Sequence, residues 1–254
     1  MMGYTHAIIG AAGGLAAAIL LKEGDVSPAI YLTATISGIV GGISVDADVI
    51  DQRGVKKVTD GSRSRLAALG ILCLGLLIDK SLEIGILSNI LSNAENAKRG
   101  LVGFFILFLI AHVIGRIVGH RTFSHSLWYI ILTTICITLI YPSAGKYYLV
   151  GAILHLLFDL LNNQAPNTDG TWHGVWLLYP IKKGEGIALR KCRAFGEGNT
   201  ALYFIAIILY TSSTIYYIEL IGNGERAAAP IMIYIATVVL FHFVRKRSEK
   251  ELRA

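Results

Sequence analysis

Charge is what this chain has least of. Only 16% of its residues are Asp, Glu, Lys or Arg, 54% are hydrophobic, and the mean hydropathy is +0.59. Soluble domains carry roughly 25% charged residues, so this composition excludes an ordinary soluble domain and reads as a polytopic membrane protein. Cysteine is nearly as scarce: Cys73 and Cys136 fall in apolar stretches and Cys192 in a loop. Three such residues exclude a disulfide framework and a thiolate-built structural zinc site, and they fit a reducing cytoplasmic face. No basic segment precedes the first apolar stretch, which begins at Tyr4-Thr5-His6, so no cleavable signal peptide is expected and the N-terminus should be retained. Internal repeats, low-complexity tracts and nucleic-acid modules are lacking. So are the His-Glu-x-x-His motif of zinc proteases and the Gly-x-Ser-x-Gly elbow of serine hydrolases.

Long apolar runs dominate instead. Stretches at 6–21, 28–45, 66–78, 101–118, 127–141, 147–161, 201–221 and 227–244 are candidate spans, several of them shorter than the roughly 17 to 25 residues a bilayer asks for. The third is interrupted by Asp79, Lys80 and Glu83 before apolar residues resume at Ile84, and a re-entrant or interfacial helix is its alternative reading. The expected fold is all-α: a polytopic transmembrane helical bundle of about eight spans, one integral membrane domain over residues 1–254. A cytoplasmic insertion at 162–200 separates spans six and seven.

Lys and Arg set the orientation, because they are enriched in cytoplasmic loops. On eight spans, 17 of the 23 fall on the side of the two termini, and six (Lys22, Lys80, Lys98, Arg99, Lys146, Arg226) fall on the other. Both termini are therefore expected in the cytoplasm, with the protein in the inner (cytoplasmic) membrane. The net charge of +6 favours anionic lipid headgroups as partners over nucleic acid.

The same topology brings the polar residues at the span ends to one side. His6 begins span one, Asp46 and Asp48 end span two, His120 and His125 occupy the turn between spans four and five, and His155 and Asp159 end span six. Ionisable groups beside hydrocarbon are costly and are candidates for function, and the cytoplasmic face is where a metal site is expected. This coincidence requires the stretch 66–78 to cross. His155 and Asp159, four apart, stack on one helix face and could clamp an ion, or simply hydrogen-bond each other. His120 and His125 flank a turn in which Ser124 is available to cap the next span. Asp46 and Asp48 can share an ion if the backbone leaves helical geometry there, and as a solvated rim they would do nothing; Asp51 reads as such a rim residue. His6 alone reads equally as an interfacial side chain. Arg121 could bind a substrate phosphate or snorkel to the interface.

Imidazoles with carboxylates suit zinc, manganese or iron. Seven candidate ligands exceed the needs of one ion, and two divalent ions bridged by a carboxylate, as in many phosphoester hydrolases, would use them all. His112 reads as a buried hydrogen-bonded histidine and His242 as interfacial. Asp169, Trp172 and His173 lie in the insertion, where they could touch a substrate. Gly10, Gly13 and Gly14, like Gly38, Gly41 and Gly42, suit close helix packing better than phosphate loops.

Four ordered motifs resemble the YdjM-like inner-membrane, metal-dependent hydrolases. They are Thr5-His6-Ala7-Ile8-Ile9-Gly10, Asp46-Ala47-Asp48, Gly119-His120-Arg121-Thr122-Phe123-Ser124-His125-Ser126, and His155-Leu156-Leu157-Phe158-Asp159. They fall within residues 1 to about 180, and the histidine-rich turn is the most specific. The resemblance implies that His6, Asp46, Asp48, His120, His125, His155 and Asp159 are the metal residues. Two departures stand out: Val45 and Val49 flank the aspartate pair where a proline before and often a histidine after are expected, and Leu160-Leu161-Asn162-Asn163-Gln164 replaces a short Thr-Pro-containing turn. The leading expectation is a membrane metallohydrolase that cleaves a phosphoester, on a lipid headgroup or related substrate, through a metal-activated water, with Asp46, Asp48 and Arg121 as the catalytic residues. Its rivals are a divalent-metal transporter and a non-enzymatic membrane protein with a structural metal.

Overall fold

The computed structural model of the protein describes residues 3–21, 26–48, 59–118, 122–161, 175–181, 197–222 and 224–253. Among these residues nine α-helices form and no strand: α1 (Gly3–Leu21), α2 (Pro28–Ser44), α3 (Thr59–Ser81), α4 (Ile86–Ser92), α5 (Ala94–Ile117), α6 (Leu127–Ile140), α7 (Pro142–Leu161), α8 (Glu197–Ile221) and α9 (Glu225–Arg253). A single 3-10 turn, Val45–Asp48, continues α2. Among the described residues, five stretches are long and apolar enough to cross a membrane: Gly3–Leu21, Pro28–Ala47, Ala94–Gly115, Thr200–Ile221 and Arg226–Lys250. α6 is apolar but has only 14 residues. α3 and α7, of 23 and 20 residues, carry charged side chains among their apolar ones.

Glycine sets the centre of the bundle. A Cβ at Gly10 of α1 would collide with the backbone of Gly38 in α2, and one at Gly38 with the backbone of Gly10, so the two helices touch main chain to main chain, as small residues four apart permit. α7 reaches the same point, since a Cβ at Gly151 would strike the Gly38 carbonyl. α1 and α2 are accordingly the most enclosed of the apolar helices, with about 70% of each span buried. α7, α8, α3 and α9 surround them, and α5 and α6 pack on each other beside α7. Outward faces of α3, α5 and α8 carry Leu69, Leu77, Phe105, Leu109, Ile208 and Leu209, all more than 40% exposed. An apolar exterior of this extent belongs in lipid.

Contacts at the two ends show that successive long helices alternate in direction. Arg65, early in α3, reaches the Asp46 carbonyl at the end of α2. Tyr203 near the start of α8 meets Tyr4 in α1 and lies beneath Arg245 near the end of α9. At the opposite end Tyr31 of α2 hydrogen-bonds Thr214 of α8 (2.8 Å), and Tyr217 donates to the Ser27 carbonyl (3.1 Å). α3 runs unbroken through Asp79 and Lys80, the residues that suggest an interruption in the sequence. Its buried Asp79 explains one of them, because the two carboxylate oxygens accept from the amides of Ile86 (2.7 Å) and Leu87 (2.8 Å) in the first turn of α4. Asp79→Ala would leave both amides unpaired in an apolar setting, and should cost about 1.5–3 kcal/mol, read as a lowered melting temperature in detergent.

The helix ends correct several expectations. Ser126, not Ser124, caps α6: its hydroxyl accepts from the Tyr129 amide, with extended backbone at the cap. Ser124 turns its hydroxyl to His125 instead. α3 begins at Thr59 and α9 continues to Arg253, because charged residues extend a helix without registering as apolar. His112 and His242 are half-buried, so His112 is not the fully enclosed histidine expected. Within the insertion, residues 175–181 form a turn that accepts the Leu127 amide through the Leu177 carbonyl, next to the start of α6. His120, Arg121, Asp51, Asp169, Trp172, His173 and Cys192 lie outside the described residues.

Candidate metal centre

Four elements deliver the polar residues to one point. α1 starts with His6, the turn after α2 carries Asp46, the segment before α6 carries His125, and α7 ends with His155 and Asp159. Asp46 sits where the backbone leaves helical geometry, at φ −80° and ψ 23°, the condition under which that aspartate could turn inward. Ser44 steadies the turn: its hydroxyl bonds the Tyr148 hydroxyl (2.7 Å), and its carbonyl accepts from Tyr129 (3.2 Å). A tyrosine from α6 and one from α7 thereby hold the end of α2.

Asp46, His125, His155 and Asp159 are all buried, and each offers a ligand atom within 4.8 Å of the others. His125 Nε2 lies 3.7 Å from Asp46 Oδ1 and 3.3 Å from Asp159 Oδ2; His155 Nε2 lies 3.6 and 3.5 Å from the same two oxygens. A tetrahedral cation with bonds of roughly 2.0–2.1 Å has ligand-to-ligand edges of about 3.3–3.4 Å, close to these four separations.

The hydrogen bonds of His155 sharpen the fit. Its Nδ1 is 2.6 Å from the Gly42 carbonyl. A carbonyl only accepts, so Nδ1 carries a proton and donates it to Gly42, which leaves Nε2 turned toward two carboxylates. Nε2 makes no hydrogen bond, and 3.5 Å is too long for one. A buried imidazole nitrogen without a hydrogen bond, set between two carboxylate oxygens, is a donor set that a cation would complete. Donation from the far ring nitrogen to a carbonyl is also how metal-bound histidines are commonly oriented.

His6 joins from the other side. Its ring stacks on that of His155 at 3.6 Å, and its Nε2 lies 3.2 Å from Asp159 Oδ1. The two Asp159 oxygens thus face different histidines, Oδ2 toward His125 and His155 and Oδ1 toward His6. The Asp46 side chain is 13% exposed against 0–2% for the other three, so the centre opens on the Asp46 side. There Arg65 donates to the Asp46 carbonyl at 3.4 Å. In the sequence Arg65 reads only as a loop cation, and nothing around it marks it; its role depends on α3 starting beside α2. Asp48 closes the 3-10 turn. The Asp48 side chain and the whole of His120 and Arg121 are outside the described residues; the other five of the seven candidate ligands are brought together by the described structure.

Together the fold and the centre define an all-helical membrane protein with a buried Asp/His cluster that could hold a metal ion. The chain belongs to the YdjM inner membrane protein family, whose match extends over residues 1–248 and so reaches through α8 and most of α9, beyond the motifs in the first 180 residues. No curated protein and no solved structure matches the chain.

Proposed function

We propose that the protein is an integral membrane metal-dependent hydrolase that cleaves a phosphoester, with α1–α3 and α5–α9 all crossing the inner membrane and both termini and the metal centre on the cytoplasmic side. The observation that carries this reading is the buried Nε2 of His155 facing Asp46 and Asp159 beside His125. The 17-to-6 division of Lys and Arg supports the orientation, and the alternation of the helices supports eight crossings.

Asp46, His125, His155 and Asp159 would hold one divalent ion of zinc, manganese or iron. His6 and the outer oxygen of Asp159 would begin a second site, to which His120 would add a ligand, with Asp48 beside it. Ions there supply Lewis acidity toward a phosphoryl oxygen and lower the pKa of water. Asp159 would fix their spacing and Asp48 would accept the proton released by the attacking water. Arg121, and Arg65 at the open edge, would bind the substrate's negative oxygens, a task that planar guanidinium groups suit.

A transporter would place such ligands near the bilayer midplane; His6, Asp46 and Asp159 lie at helix ends, which favours the hydrolase. The test is a panel of phospholipids, lipid phosphates and nucleotides given to purified, metal-loaded protein. Hydrolysis of a lipid phosphoester is expected, falling at least about 100-fold in His155→Ala. No turnover anywhere on the panel would overturn the reading, and metal uptake into vesicles that depends on His155 would replace it with transport.

A further inference from the structure

A cavity of about 260 Å³ is lined at one end by Val40 and by Tyr148, whose hydroxyl bonds Ser44 in the turn before Asp46. α3 packs against α2 and α9, α5 packs against α6, and the cleft left between α3 and α5 is backed by α2 and closed at its far end by α4. Its walls are almost entirely apolar, with Leu72 and Leu76 on one side, Phe104 and Ile137 on the other, and Val40 and Tyr148 at the end nearer the centre. Tight packing is the rule for a protein interior, so a space of this size among leucines and isoleucines calls for an occupant.

The surroundings indicate which one. Leu69 and Leu77 of α3 and Leu101 and Phe105 of α5, flanking the cleft, are more than half exposed. They belong to the lipid-facing exterior, so the cleft is continuous with the interface between protein and hydrocarbon. Its depth relative to the metal centre also fits a lipid. Val40 precedes Asp46 by six residues, about 9 Å along α2. The polar headgroup layer of one leaflet is on the order of 5–8 Å thick. A lipid with its phosphate at the centre would therefore have its hydrocarbon at the level where the cavity begins.

We propose that the cleft between α3 and α5 receives an acyl chain of the substrate, making the substrate a membrane phospholipid presented from within the bilayer. The inference rests on the hydrolase reading for its substrate, but the cleft is tested by binding alone. Phosphatidylglycerol vesicles carrying a photoactivatable diazirine at mid-chain are fused with the reconstituted protein, irradiated, and the labelled peptides mapped by mass spectrometry. Labelling is expected to concentrate on Leu72, Leu76, Phe104 and Ile137, at least about five-fold above the lipid-facing residues of α8. It should fall to the α8 level in Ala144→Phe, which fills the cavity from α7, while metal content and melting temperature remain those of the wild type. If Ala144→Phe fails to fold, Leu76→Trp, from the α3 wall, takes its place.

Labelling spread evenly over α3, α5 and α8, unchanged by either variant, would overturn the proposal and leave only annular lipid. Concentrated labelling in a protein that hydrolyses nothing would keep the cleft and remove the hydrolase. Hydrolysis of a chainless phosphoester as fast as of the phospholipid, together with even labelling, would remove the cleft and keep the hydrolase.

Discussion

Asp159→Ala is expected to strip the centre of metal. Protein purified in detergent and loaded with zinc or manganese should carry up to two equivalents by inductively coupled plasma mass spectrometry, and the variant essentially none. The reason lies in the carboxylate's position: one oxygen is 3.3 and 3.5 Å from His125 and His155, and the other is 3.2 Å from His6. Loss of a residue that merely orients a metal ligand costs 10–100-fold in affinity, so loss of a carboxylate that faces His125, His155 and His6 should exceed about 100-fold. His6→Ala separates two ions from one. On the two-ion arrangement it loses about half of the metal and keeps the ion held by Asp46, His125, His155 and Asp159. Wild-type protein that takes up no metal under any loading would sink the centre and leave a network of buried polar groups.

The parts of this centre that lie along one helix are legible in the sequence. His155 and Asp159 are one turn apart, and helical periodicity alone puts them on a common face. The position of Asp46 at the end of an apolar run gives its depth, and the parity of the spans brings His6 and His125 to the same end. What escapes the sequence is everything that depends on how closely two helices approach. The Gly42 carbonyl that fixes the His155 ring is a backbone atom of another helix, reachable because glycines let α2 and α7 pack closely. Ser44, Tyr129 and Tyr148, which hold the turn before Asp46, look like ordinary span residues until α6 and α7 are placed. The choice of Ser126 over Ser124 as cap is decided by a single backbone conformation, extended at Ser126, which the run Thr122-Phe123-Ser124-His125-Ser126 does not reveal.

Helix lengths are hard to read for a related reason. Apolar windows detect the part of a helix in contact with hydrocarbon, so they clip the starts of α3 and α8 and the end of α9, where charged or polar residues continue the helix. α4, seven residues long, is held by Asp79 through a contact seven residues distant, and in the sequence that anchor reads only as a charge interrupting a span.

Gly38→Leu is expected to abolish the folded protein. Gly38 is where three helices meet: its missing side chain lets the Gly10 carbonyl of α1 come into contact, and its own carbonyl lies where a Cβ at Gly151 of α7 would stand. Overpacking a core of side chains costs about 1–3 kcal/mol because rotamers can shift. Here the obstacle is the backbone of α1 at Gly10 and Gly14, so relief requires moving α1 bodily off α2, and the cost should exceed about 4 kcal/mol, the range reserved for severe defects. The displacement would reach the metal centre as well, since His6 follows the start of α1. Gly70→Leu is the matched control: Gly70 is an exposed position on α3 where an added Cβ would meet nothing within 4 Å, and the new side chain would enter lipid. Size-exclusion chromatography and thermal unfolding in the same detergent should show Gly38→Leu aggregated or melting far below the wild type, and Gly70→Leu unchanged. Equal behaviour of the two variants would mean that α1 and α2 do not meet main chain to main chain at this point, and the centre built on their meeting would fall with it.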